Sequence, residues 1–291
     1  MFQHFIERFS ELIQVYPVFI YLIVGFLGAT IGSFLNVVIY RTPIMIEFEY
    51  AEIIKANSDN VHSNVDEAYN KGNGLTLSKP RSRCSCCGKM IPWYHNIPIL
   101  SYFILRGKCF SCDSVFSPRY AIIEIINTVA WLLLYYFFGF TVTFLMLAVL
   151  FSLLITMSII DFDHKILPDN LVFTTGGLAF LFSTTSYSLL TPTEAIYQSI
   201  LTFTIAHVFI SLYSKLRGQL MMGFGDIKLI GALTPLIGLN NFVYAILIAC
   251  ILGIIYYVAI MLSKRLDEDK TFAFGPFICL GYYSVFVYHL T

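Results

Sequence analysis

Charge is scarce in this chain. Aspartate, glutamate, lysine and arginine make up 12% of its 291 residues, where a soluble domain carries about one quarter. Hydrophobic residues reach 57%, aromatics 16%, and mean hydropathy is +0.74, so a membrane class is indicated. Net charge is zero, and the basic excess of a nucleic-acid binder is therefore missing. The N-terminal Met-Phe-Gln-His-Phe-Ile-Glu-Arg lacks the basic region and small-residue cleavage site of a signal peptide; its hydrophobic stretch reads as a retained first span. No internal repeat is evident. No glycine-rich strand-to-helix loop announces a Rossmann methyltransferase.

What is there instead is a series of apolar runs. A crossing takes about 20 predominantly apolar residues, and eight segments meet or approach that: Tyr16–Tyr40, Tyr120–Phe138, Thr143–Ile160, Leu171–Ser188, Ile196–Tyr213, Ile227–Leu239, Phe242–Leu262 and Phe272–Leu290. The sixth is short and carries Gly231, Pro235 and Gly238, so a broken or partly inserted helix is expected. With the N-terminus outside, every one of the 18 lysines and arginines except Arg8 falls in 41–119, 161–170, 214–226, 263–271 or at the edge residue Lys228. Those segments are then cytoplasmic. The expected fold is an all-α polytopic membrane protein of about eight transmembrane helices with a cytoplasmic zinc-ribbon-like loop. Residues 1–40 would hold the N-terminal segment and first span, 41–119 the cytoplasmic domain and 120–291 the transmembrane core.

Five of the seven cysteines crowd the polar loop; Cys250 and Cys279 read as small core residues. Cys84 with Cys87, and Cys109 with Cys112, form two C-x2-C pairs separated by 21 residues, with Gly88 easing the first turn. Two such pairs can surround one tetrahedral zinc, which with four thiolates has no open position and is structural. Disulfides are disfavoured in a reducing cytoplasm, and ordinary buried thiols are the other alternative. Cys86 reads as a spectator. Ahead of this loop, Glu47–Asn73 is expected to be helical and then disordered.

Two aspartates stand where charge is most costly. Asp161 closes the apolar run Met146–Ile160, and Asp226 ends Gly223-Phe-Gly-Asp. Such residues are functional candidates by default, and two on one membrane face can divide the work of general base and general acid. The alternative is local: Asp161 paired with Lys165 and Asp226 with Lys228. Asp169 is expected to cap the following helix, while Asp163 and His164 face water. Gly223 and Gly225 would let a helix or an extended substrate approach closely. Glu124 sits where a charge still reaches water; Asn36 and His207 read as interhelical hydrogen-bonding groups. A transporter using the aspartates as a proton or cation pathway, and a zinc-dependent scaffold, also fit these residues.

Five motifs taken in order narrow the choice. Gly32-Ser-Phe-Leu-Asn-Val-Val-Ile-Tyr-Arg-Thr-Pro, Pro80-Arg-Ser-Arg-Cys with Ile91-Pro-Trp-Tyr-His-Asn-Ile-Pro-Ile-Leu-Ser-Tyr, Ser117-Pro-Arg-Tyr-Ala-Ile-Ile-Glu-Ile, Ile160-Asp-Phe-Asp-His-Lys-Ile-Leu-Pro-Asp, and Gly223-Phe-Gly-Asp-Ile-Lys resemble the type IV prepilin peptidases. These leader peptidase/N-methyltransferases are intramembrane aspartic proteases of the Gly-x-Gly-Asp class. The resemblance implies Asp161 and Asp226 as catalytic residues, Gly223 and Gly225 beside the substrate, and 120–291 as the peptidase core. It implies cleavage of type IV prepilins or type II secretion pseudopilins at the cytoplasmic face of the inner membrane. Methylation of the new N-terminus would use S-adenosylmethionine; Glu47 and its neighbours over Arg41–Tyr50 are candidates for that step, with none assigned. The four-cysteine loop is typical of members that both cleave and methylate. Cys86 and the Glu47–Asn73 stretch depart from the pattern.

Overall fold

The computed structural model describes residues 17–57, 63–84, 86–218, 222–262 and 272–290. The expectations for the extreme N-terminus, the middle of Glu47–Asn73 and the basic loop 263–271 lie outside the described residues. Nine α-helices occur among those described: α1 (Pro17–Asn57), α2 (Ser63–Gly72), α3 (Leu100–Ile104), α4 (Arg119–Phe138), α5 (Val142–His164), α6 (Asp169–Phe182), α7 (Pro192–Arg217), α8 (Phe224–Leu262) and α9 (Gly275–Leu290). Strands are absent among them; two isolated antiparallel bridges occur, both in the cysteine loop. Every apolar segment read from the sequence contains helix. Five helices, α1, α4, α5, α7 and α8, are long and apolar enough to cross a membrane. The chain divides into two compact units, Met1–Ser152 and Leu153–Thr291, with the division inside α5.

In the first unit α1 packs on α4 and α2. Gly25, Gly28 and Gly32 form a small-residue stripe that lets the α4 backbone approach; a Cβ at Gly32 would stand 2.9 Å from the Glu124 Cα. The Asn127 amide donates to the Gly28 carbonyl at 2.8 Å, and the Trp131 indole donates to Ser152 at 3.1 Å. Asn36 donates to the Tyr120 carbonyl at 3.1 Å, the interhelical role expected of it.

Two expectations change here. The first helix does not stop at Tyr40 but continues through Pro43 to Asn57. The stretch after it is not simply disordered, because Ser63–Gly72 is a helix packed on that extension. Tyr69 meets Phe48 with ring centroids 5.2 Å apart, Lys55 lies 4.0 Å over the Tyr69 ring, and Phe48 leaves no room for a Cβ at Gly72. Glu124 also differs. It is only 8% exposed, and its carboxylate accepts the Ile99 N–H at 2.7 Å rather than reaching water.

In the second unit α6, α7 and α9 all pack on α8. Leu229, Leu233, Leu236 and Tyr282 are fully buried there, and Phe182 meets Phe286 edge to face at 5.2 Å. The sixth and seventh apolar segments form one helix broken at Gly238, whose φ of 73° and ψ of 169° are non-helical. The expected break is therefore real. It frees the Leu239 N–H, which donates to Gln198 Oε1 of α7 at 2.7 Å. A buried donor left without a partner costs about 1–3 kcal/mol. Gln198→Leu is accordingly expected to lower the melting temperature in detergent, and an unchanged value would mean the kink is held by other contacts.

The fourth apolar segment ends sooner than expected, at Phe182. There the Ser183, Thr184 and Thr185 hydroxyls donate to the Phe180, Leu181 and Phe182 carbonyls and close the helix with turns. Cys279 is buried as expected, whereas Cys250 is on the exposed side of α8.

Candidate functional site

Asp161 lies in the last turn of α5 and is 6% exposed. A carboxylate there faces the negative end of its own helix dipole, an unfavourable place unless another donor compensates. The donor is the N–H of Gly275, the first residue of α9, at 3.0 Å from Asp161 Oδ2. First-turn N–H groups have no partner within their helix, so α9 offers one to this carboxylate. Asp226 is half-buried in the first turn of α8, at the positive end of that helix. Leu167 lies against both Gly275, which binds Asp161, and Gly225, which precedes Asp226, so the fold brings the two acids and two helix N-termini into one neighbourhood.

The two lysines that competed as local partners bind elsewhere. Lys228 binds Asp169, 59 residues away, through both carboxylate oxygens at 2.7 and 2.8 Å. Asp169 makes no capping bond: the N-cap of α6 is Pro168, and Asp169 is the first helical residue. Lys165 has a left-handed φ of 57° and donates its Nζ to the Phe162 carbonyl at 2.9 Å. Asp163 and His164 are exposed, as expected. His207 is exposed and stacks on Phe203 with centroids 6.0 Å apart.

The two glycines before Asp226 have different surroundings. Gly225 faces Leu167, whose Cβ would lie 3.0 Å from a Cβ at that position. Gly223 is exposed, and a Cβ there would meet Asp226 Oδ2 at 3.6 Å. Sequence reasoning missed Gly275. Its signal was the Gly275-Pro276 pair opening an apolar run, a helix start with proline just inside.

The other cluster belongs to the first unit. The sulfurs of Cys84, Cys87, Cys109 and Cys112 all lie within 4.8 Å of one another, a group that could hold a metal ion. A Zn–S bond of about 2.3 Å in a tetrahedron requires sulfurs about 3.8 Å apart. Cys84 and Cys112 are separated by 3.8 Å, so the donor set fits that ion. The two halves repeat the same turn. Cys84 N–H bonds to Lys89 and Gly88 N–H to Cys84; 25 positions on, Cys109 N–H bonds to Ser114 and Asp113 N–H to Cys109. The left-handed residues are Gly88, at φ 68°, and Asp113, at φ 55°. Each turn closes with a bridge, Arg83 to Met90 and Lys108 to Val115.

The turns pull two of the four thiols toward the thiolate that a metal binds, whereas Cys87, despite the Lys89 N–H, is pushed up to about 11 by burial and the neighbouring sulfurs. The Cys87 N–H, then the Ser114 hydroxyl and the Cys86 N–H, pull the Cys84 thiol down to about 6. The Ser114 hydroxyl and N–H lower Cys112. Cys86 occupies the position of Ser111 in the second turn, whose backbone N–H serves the sulfur, 3.4 Å from Cys109 Sγ, and the Cys86 side chain is exposed. Cys86→Ser is expected to leave bound metal at the wild-type stoichiometry by atomic absorption; a fall would make Cys86 a ligand.

Arg41 was grouped with candidates for methyl-donor binding. Its guanidinium is buried and occupied, donating to the Thr76 and Pro80 carbonyls at 2.6 Å each. It fastens the loop that precedes the first cysteine turn. Glu47 is exposed on α1.

Comparison with known proteins gives a consistent picture. Residues 26–138 match the family model described as the bacterial peptidase A24 N-terminal domain, and residues 148–258 match the type IV leader peptidase family. The chain is 34% identical to a prepilin leader peptidase/N-methyltransferase of Legionella pneumophila, over 94% of this chain and 92% of that protein. It is 31% identical to the protein of the same name from Neisseria gonorrhoeae, over 89% and 87%. It is 32% identical to a type 4 prepilin-like proteins leader peptide-processing enzyme of Escherichia coli O78:H11 (strain H10407 / ETEC), over 93% and 95%. No solved structure matches the chain. These relatives are processing enzymes, which leaves the transporter and scaffold readings without support.

Proposed function

The chain belongs to the type IV leader peptidase family, and from that membership we propose that it removes the leader peptide from type IV prepilins or pseudopilins and methylates the new N-terminus. The observation that carries the cleavage half is that Asp161 and Asp226, each beside a helix N-terminus, are linked through Leu167, which packs on both Gly275 and Gly225. In the proposed mechanism one ionised carboxylate activates water as general base. Its protonated partner polarises the scissile carbonyl and then protonates the leaving amine. As a coupled pair they titrate together, so base and acid are roles within the dyad rather than labels on residues. Gly223, exposed and with Asp226 Oδ2 3.6 Å from where its Cβ would be, suits a passing substrate backbone, while Gly225 packs on Leu167.

The substrate's apolar helix has a matching surface in the same unit. A cavity of about 430 Å3 lies between α6, α7 and α8, lined by Phe173, Gly176, Gly177, Phe203, Ala232 and Lys228, which is two residues from Asp226 in sequence. The lysine and arginine distribution supports a cytoplasmic position for both aspartates and the cysteine loop, in a multi-pass inner-membrane protein. The four cysteines would hold structural zinc, with no open position for a nucleophile. Methyl transfer from S-adenosylmethionine is supported by the names of the relatives.

The test is mass spectrometry of a prepilin incubated with purified chain in detergent, with and without S-adenosylmethionine. Loss of the leader and gain of one methyl group are expected. An intact substrate across several prepilins and pseudopilins would overturn the reading.

A further inference from the structure

Gly275 touches Asp161 in two ways. Its N–H donates to Oδ2, and a Cβ in its place would stand 2.8 Å from that oxygen and 3.2 Å from the carboxyl carbon. The next neighbour of that missing Cβ is Leu167 Cδ1, at 3.4 Å. The same Leu167 lies against Gly225, with its Cβ at 3.0 Å and its Cδ1 at 3.5 Å from where a Cβ would be. Leu167 belongs to the short connection between α5, which carries Asp161, and α6. One side chain therefore sits between the backbone that holds Asp161 and the backbone that carries Asp226.

We infer that Leu167 and Gly275 are positioning residues for the dyad: Leu167 spaces the starts of α8 and α9, and Gly275 leaves room for the Asp161 carboxyl while anchoring it. The inference rests on the dyad reading above. Gly275 is buried and has no left-handed φ, so an alanine there escapes that strain, although Pro276 restricts the residue before it. Its methyl group would act chiefly on the Asp161 carboxylate. Leu167 is different, because shortening it opens a gap against both glycines at once.

A structural glycine and a packed leucine would affect stability alone; positioning residues affect turnover with substrate binding intact. The experiment compares full-length wild type, Gly275→Ala, Leu167→Ala and Leu167→Met on one prepilin in detergent, reading kcat, KM and melting temperature. Misplacing a reacting group by about 1 Å costs roughly 100-fold in rate. Gly275→Ala is expected to lose about that much in kcat with KM within about twofold of wild type. Leu167→Ala is expected to lose about 10-fold in kcat, and Leu167→Met to recover most of it. Wild-type kcat in Gly275→Ala, or no difference between the two Leu167 variants, would overturn the inference while leaving the dyad intact. If Gly275→Ala fails to fold, the Leu167 pair decides. A wild-type protein that cleaves nothing would remove the dyad reading itself.

Discussion

Asp161→Asn and Asp226→Asn are each expected to reduce prepilin cleavage by at least ~1000-fold, the upper range of what one positioned acid or base contributes. Asparagine keeps the shape of the side chain and can still accept the Gly275 N–H at position 161, so the fold has no reason to change. What it loses is the exchangeable proton. An amide cannot take a proton from water, and it cannot return one to the leaving amine. The double variant is expected to be no slower than either single one, because the two carboxylates act as a unit. Asp163→Asn is the control: Asp163 is exposed, two residues from Asp161, and its variant should cleave like wild type. Single-turnover assays resolved by mass spectrometry separate these cases. Cleavage by Asp161→Asn or Asp226→Asn at a rate near wild type would mean the dyad is wrongly assigned.

The second large effect concerns the cysteine loop. Among the described residues of 81–117, the buried side chains are those of Cys84 and Cys109; Gly107 is buried too but has no side chain to pack. With so little apolar burial among its described residues, a segment of that length gains little to offset the entropy of being ordered. In the proposed zinc site a bound metal would take the place of the core. Structural zinc binding contributes about 10–16 kcal/mol of folding free energy in small domains at neutral pH. Cys84→Ser or Cys109→Ser is therefore expected to abolish bound zinc and leave the loop open to protease between Pro80 and Arg119. Zinc content by atomic absorption and limited proteolysis read the two effects. A Cys84→Ser protein that keeps its zinc and its protease resistance would contradict the assignment. The two sets of variants should separate cleanly: the aspartate variants keep zinc and lose chemistry, and the cysteine variants lose zinc first.

Local features were legible in the sequence, and contacts between distant segments were not. Apolar length placed the helices, and Gly231, Pro235 and Gly238 announced the broken one. The cost of charge at an apolar boundary singled out Asp161 and Asp226, and C-x2-C spacing picked the four thiols that the fold brings together. Lys228 was read with its neighbour Asp226 because they are close in sequence, whereas the fold brings it to Asp169. Glu124 was placed near water because it begins a span, and the Ile99 N–H that meets it comes from the cysteine loop. Tyr69 on Phe48 turned an expected disordered stretch into a helix, through an aromatic contact between residues with no local signature. Gly275 was hidden for the same reason: its chemistry appears only when α9 meets the end of α5.

The two cysteine turns are each complete in themselves. The backbone bonds that shape the first run between Ser82 and Ile91, and those that shape the second between Gly107 and Phe116. The segment joining them meets the second turn at its end, where the Gly107 and Lys108 N–H groups donate to the Tyr102 and Leu105 carbonyls. Lengthening a joining segment costs little, since each doubling of a flexible loop adds only about 0.6 kcal/mol. A clasp closed at both ends can therefore carry a reporter tag or an added binding motif in the stretch that joins them, provided the bonds of Tyr102 and Leu105 to the second turn and of Ile99 to Glu124 are kept.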